Sequence, residues 1–262
     1  MGKKPKRRNG LVTLFLGQEH AKPINNLRPA IENQHRIIRY VWASRHYKDF
    51  GIERVIRYSL ACILLYTPSL HFKARFDRHG VRGRKLAIDA YVLVKTLLPM
   101  LFLCLGWTSY WPVALVSLLL GIETMIYLAA LIFLSEEFAR PISYRRSVTA
   151  LFLNYIEISL DYAVIYAWCN TNILGFFKCP GLKSGLEAAY FSFATSATVG
   201  YGDIVPTHWV GQLLVISQIL TFLVFVGLFI NTYASRIQEH TYHNSQLQYD
   251  EQGKWRKSVG GK

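Results

Sequence analysis

Four apolar stretches set what this chain can become: residues 87–106, 111–134, 148–168 and 210–233. Each is close to the ~20 residues that an α-helix needs to cross the hydrocarbon core of a bilayer. In that core the backbone must satisfy its own polar groups, so a spanning segment is a helix or a strand of a closed barrel. Runs of this length, without strict alternation, are helices. The expected fold is therefore an all-α membrane protein with four transmembrane helices. Trp107, Tyr110 and Trp111 fall at the turn between the first two, where interfacial aromatics belong. Residues 185–197 form a fifth apolar segment, too short to cross.

Charge is distributed unevenly. Residues 1–87 hold 19 Lys/Arg and 5 Asp/Glu, a difference of +14, and residues 88–262 hold 11 of each. Basic segments next to spans stay in the cytoplasm. Residues 1–86 and 135–147 are therefore expected inside, with both termini cytoplasmic. A basic half also suits nucleic acid. A flank facing anionic lipid explains it directly, and no nucleic-acid partner is expected. Residues 54–72 have an apolar core, 60–70, too short to span. Arg57 and Pro68 bracket it and both flanks are basic, which favours a helix lying along the inner face. Residues 71–85 carry Lys73, Arg75, Arg78, Arg82, Arg84 and Lys85 and read as a basic loop. Residues 11–16 are too short an apolar core for a signal peptide.

Four ionisable residues lie inside the apolar runs: Lys95, Glu123, Glu157 and Asp161. Facing lipid, each would cost on the order of 2.5–3.5 kcal/mol or more, so they are expected to face protein. Glu157 and Asp161 are four apart and share a helix face. Lys95 is expected to pair with Glu123 or with that face. Such a cluster either ties helices together or acts as a proton- or voltage-sensitive switch. None of the four cysteines has metal-ligand spacing. Cys62 and Cys104 sit in apolar runs as packing residues. Cys169 and Cys179 flank an outside loop, where a disulfide and two free thiols are both open.

The short fifth segment leads into Thr198-Val199-Gly200-Tyr201-Gly202-Asp203. Glycines at alternate positions allow a backbone of alternating hand, because glycine takes φ > 0 at little cost. Such a backbone can turn successive carbonyls the same way. The chain here resembles the pore module of the tetrameric potassium channel family, whose filter loops read Thr-Val-Gly-Tyr-Gly. The resemblance covers residues 148–237. It implies an outer helix, a pore helix over 185–197, a filter loop and an inner helix, closed into a ring by four copies. It implies K+ as the permeant ion, held by carbonyls of Thr198, Val199, Gly200 and Tyr201, with Gly202 completing the filter. Asp203 would be held by donors on the pore helix, with Tyr190 as the available one.

The organisation that follows is a basic N-terminal region, 1–86; two peripheral spans within 87–134; a pore domain, 148–237; and a short cytoplasmic tail, 238–262. The expected protein is a homotetrameric, multi-pass channel of the plasma membrane, in contact with anionic lipids. The sequence departs from the best-known pattern of the family at Ala194, Tyr190, Phe191 and Ala197, which implies weaker lateral support of the filter and easier inactivation. On the inner helix, Leu223, Gly227, Ile230 and Ala234 share a face that suits a cavity lining, with Asn231 as a polar neighbour. The usual hinge glycine falls at Phe222, so Gly227 is either a displaced hinge or a close-packing position. A voltage sensor spaces arginines every third residue among apolar ones. Asp77, His79, Gly80 and Gly83 fill those places here. Catalysis would need a cluster of nucleophile, base or metal ligands. The histidines are scattered, and Ser192 and Ser196 sit within the pore helix.

Overall fold

The computed structural model describes residues 29–43, 52–77, 80–134, 144–178, 181–245, 247–249 and 255–257; residues 40, 43, 80–82, 84–85, 144–145 and all beyond 230 are described by backbone alone. The helices are α1 (Ala30–Ala43), α2 (Ile52–Leu64), α3 (Pro68–Arg75), α4 (Gly80–Cys104), α5 (Trp111–Phe133), α6 (Tyr144–Asn172), α7 (Gly185–Ser196) and α8 (Trp209–Ser245). A 3-10 turn, Trp107–Ser109, joins α4 to α5. Two short strands, β1 (Leu247–Tyr249) and β2 (Trp255–Lys257), pair antiparallel after α8. The chain divides into two compact units, residues 1–91 and 92–262.

In the first unit, α1 packs on α2 and α3. Gln34 Nε2 donates to the Ala61 carbonyl at 2.8 Å, and Asp77 Oδ2 accepts from the Ala30 amide at 2.7 Å. Thr67 is extended, as a residue before proline must be, and Pro68 opens the next helix. Residues 54–72 therefore fall in two helices, Ile52–Leu64 and Pro68–Arg75, rather than in one span. The basic loop expected over 71–85 is corrected. Residues 71–75 belong to α3 and 80–85 to α4, because lysine and arginine are good helix formers whatever their charge does to hydropathy.

The second unit holds the apolar helices. Four are long and apolar enough to cross a membrane: Leu86–Cys104, Trp111–Phe133, Arg146–Asn172 and Trp209–Ile230. Helix α6 is the centre: half of its apolar window is buried, against 22–28% for the other three. It packs on α5, α7 and α8. Phe102, Leu103, Leu160, Val164 and Ala188 close one core cluster, and Leu128, Ile158, Phe225 and Leu228 form part of another. Gly106, at φ 67°, ends the run after α4. A side chain at Gly185 would place Cβ 2.6 Å from the Leu103 carbonyl oxygen. Only glycine lets α7 start that close to the end of α4. Helix α8 runs unbroken to Ser245, past the expected end of the span and into the tail, where β1 and β2 pair. The return over 135–143 lies outside the described residues.

Candidate functional site

Helix α7 is built to stop short. Its N-cap, Ser184, accepts the Glu187 amide at 3.2 Å, while Glu187 Oε2 accepts the Lys183 amide at 2.7 Å. This reciprocal pairing is a close variant of the capping box. After 12 residues the helix ends at Ala197. The Thr198 amide then bonds the Thr195 carbonyl at 3.0 Å and the Val199 amide the Ala194 carbonyl at 2.9 Å.

Beyond that point the backbone alternates. Thr198, Gly200 and Gly202 have φ of 55°, 65° and 76°. Positive φ is cheap for the glycines. For Thr198, the one non-glycine residue described with positive φ, it is an outlier that costs of order 1–3 kcal/mol. Residues 197–203 are all exposed in the single chain. The Tyr201 ring stacks on Tyr190 of α7, centroids 6.1 Å apart and 11° from parallel. Asp203 accepts a hydrogen bond from the Tyr190 hydroxyl, and that bond raises the phenol above its ordinary value. On the far side, the Val205 carbonyl accepts the Lys178 amide at 2.9 Å and Thr207 Oγ1 donates to the Gly175 carbonyl at 2.6 Å. The loop after α6 thus fastens the segment that follows residue 203.

Behind α7 lies a buried polar chain. The Tyr166 hydroxyl donates to Gln218 Oε1 at 2.9 Å. Gln218 Nε2 donates to the Ser192 carbonyl at 2.9 Å and to Ser192 Oγ at 2.7 Å. Ser192 Oγ donates to the Ser159 carbonyl at 2.6 Å. Tyr155 with Ser196, and Tyr162 with Ser217, add hydroxyl pairs at 3.0 and 2.9 Å. Three helices, α6, α7 and α8, are thereby tied at one level. Sequence reasoning passes over Gln218 and treats Ser192 only as a missing nucleophile. A glutamine inside an apolar run was the available signal. Gln218→Leu would strand Tyr166 and Ser192, and the expected loss of stability is about 1–3 kcal/mol, read as a lower melting temperature in detergent.

The four charges converge on α4, α5 and α6. Lys95 Nζ lies 3.1 Å from Glu157 Oε1 and 3.6 Å from Glu123 Oε2. It also donates to Thr124 Oγ1 at 2.7 Å, and that hydroxyl in turn lies 2.9 and 2.8 Å from the two Glu157 oxygens. Asp161 is buried beside them, with neither carboxylate oxygen hydrogen-bonded. On α8, Leu223, Gly227 and Ile230 lie on an exposed stripe with Leu213, Ile216 and Leu220. A Cβ at Gly227 would meet nothing within 4 Å, so no contact within the chain demands glycine there. The side chains of Asn231 and Ala234 lie outside the described residues. Cys169 is a buried free thiol, not half of a disulfide, and Cys179 lies outside the described residues.

A short capped helix, a segment with alternating hand and a long apolar helix after it form one continuous unit. Residues 155–239 match the ion-channel family. The matched segment contains α7, the alternating segment and the membrane-crossing part of α8. It is the family of a channel and not of an enzyme. With four helices apolar enough to cross a bilayer, the chain is an integral, multi-pass membrane protein. A stretch of 52 residues is 40% identical to two-pore potassium channel 4 of Arabidopsis thaliana, covering 20% of this chain and 18% of that protein's length. No solved structure shows a significant match.

Proposed function

We propose that the protein is a potassium-selective channel, passing K+ through a ring of backbone carbonyls from Thr198, Val199, Gly200 and Tyr201, with Gly202 completing the filter. The observation that carries this reading is the alternation of φ at Thr198, Gly200 and Gly202. A β-branched residue held at positive φ needs a reason, and a backbone whose carbonyls must face one axis supplies it. The similarity to a named potassium channel supports K+ as the permeant ion. Carbonyl oxygens replace the hydration shell of K+ in such a filter.

One chain offers one such segment, and it is exposed. Four copies around an axis close the ring and bury it, so the working form is a homotetramer. The peripheral helices of 87–134 then flank a pore domain, 148–237, whose inner stripe of Leu223, Gly227 and Ile230, continued by Asn231 and Ala234, lines the ion path. The basic region 1–86 faces anionic lipid at the cytoplasmic side of the plasma membrane, and the tail, 238–262, lies on that side too. The test is ion flux in liposomes holding this protein alone. Potassium flux that barium blocks, with none for sodium, supports the proposal. An intact protein without flux points to a scaffold that kept the filter.

Tyr190 is the lateral support in this arrangement. Tyr190→Phe removes its bond to Asp203, and the steady current is expected to decay faster in patch recordings. The phenol's raised pKa gives the sign with pH. The bond stabilises the neutral hydroxyl, so its contribution is complete below the ordinary tyrosine value and is lost as pH rises through the raised one. Alkaline decay of the current is expected in the wild type and not in Tyr190→Phe.

A further inference from the structure

The cluster around Lys95 contains three carboxyl groups and one ammonium, all within an apolar layer. An ammonium has three protons to donate. Those of Lys95 are taken by Thr124, by Glu157, and by Glu123 or the Leu120 carbonyl at 3.4 Å. Asp161 is left over. It is 1% exposed, and neither of its oxygens meets a donor. Ser117 on α5 is 0% exposed, and its hydroxyl is also without a partner. Ser117 and Asp161 face each other across the α5–α6 contact, near enough for the hydroxyl and the carboxyl to interact, with Glu157 one turn away on Asp161's own helix. Gly121 of α5 packs beside the carboxylate: a Cβ there would lie 3.8 Å from Asp161 Oδ2, an ordinary contact.

An ionised carboxylate this deep, beside a second anion and without a cation of its own, is among the costliest groups a fold can bury. A carboxylic acid in the same place can donate to the Ser117 oxygen. We propose that Asp161, with Ser117, is a membrane-embedded proton-binding site, the carboxyl carrying its proton while the protein rests in the bilayer. The facing charged groups are Glu157 on α6 and, from α4, Lys95, with Glu123 of α5 behind them. The pore-side neighbours add none: α8 has no charged residue from 209 to 230, and the single one on α7, Glu187, caps its first turn. The site sits next to Ser159, whose carbonyl anchors Ser192 of α7. Release of the proton would set a second anion beside Glu157 at the helix that holds the short helix in place.

The test is infrared spectroscopy of the whole protein in nanodiscs, which reads the proton whether or not the protein conducts. The wild type at neutral pH is expected to show a protonated-carboxyl stretch that disappears in Asp161→Asn and stays in Glu123→Gln. Ser117→Ala should shift that band. A second readout covers an Asp161→Asn protein that inserts poorly. On this proposal the folded wild type holds a proton that the unfolded chain releases, so its melting temperature is expected to fall as pH rises through the range in which the unfolded carboxyl ionises. No protonated-carboxyl band in the wild type, a band that survives Asp161→Asn, or a wild-type melting temperature flat with rising pH overturns the proposal.

Discussion

Gly200→Ala is expected to abolish potassium flux while leaving insertion and assembly intact. A Cβ at Gly200 would meet nothing within 4 Å of its own chain, so the effect is conformational rather than a clash within the chain. The backbone there has φ 65°. Placing an L side chain in that region costs roughly 1–2 kcal/mol per residue. In the proposed ring of four copies the cost would be about 4–8 kcal/mol, enough to depopulate the proposed conducting backbone roughly a thousandfold or more. Gly227→Ala is the matched comparison. It also adds a methyl group into open space, but within a continuous helix. There the exchange is expected to stabilise by about 0.5–1 kcal/mol and to leave flux in place. Liposome flux and native gels on both variants check the contrast.

Lys95→Met is expected to lower stability by about 3–5 kcal/mol, the usual cost of removing one partner of a buried pair. Glu157 is fully buried, and Lys95 is the cation at 3.1 Å from it. Without that cation, Glu157 keeps only the Thr124 hydroxyl, which cannot replace a charge. Glu157→Gln added to Lys95→Met should restore most of the loss, because the buried anion is removed with its partner. Thermal unfolding of the two single variants and the double variant gives the coupling directly. A gating curve for Lys95→Met that shifts along the voltage or pH axis assigns the cluster a switching role. An unshifted curve assigns it to holding α4, α5 and α6 together.

The spans were legible because hydrocarbon imposes a length and a hydropathy that few other contexts require. Their ends were not. Helix α6 runs from Tyr144 to Asn172 and α8 to Ser245, since a helix does not stop where lipid does. The alternating segment was legible at its glycines, and its third left-handed position, Thr198, was not, because nothing in a threonine announces positive φ. The polar chain through Tyr166, Gln218 and Ser192 was hidden for a related reason. Each residue is unremarkable in sequence, and the pattern exists only once three helices bring them to one level. The division of 54–72 turned on one residue, Pro68, which places Thr67 in extended backbone and opens a new helix.

The most direct measurement is the reversal potential of the purified protein in a planar bilayer, with potassium on one side and sodium on the other. A current reversing near the potassium equilibrium potential, and lost in Gly200→Ala, is the predicted result. A current that reverses near zero, or one that survives in Gly200→Ala with its selectivity unchanged, would contradict it.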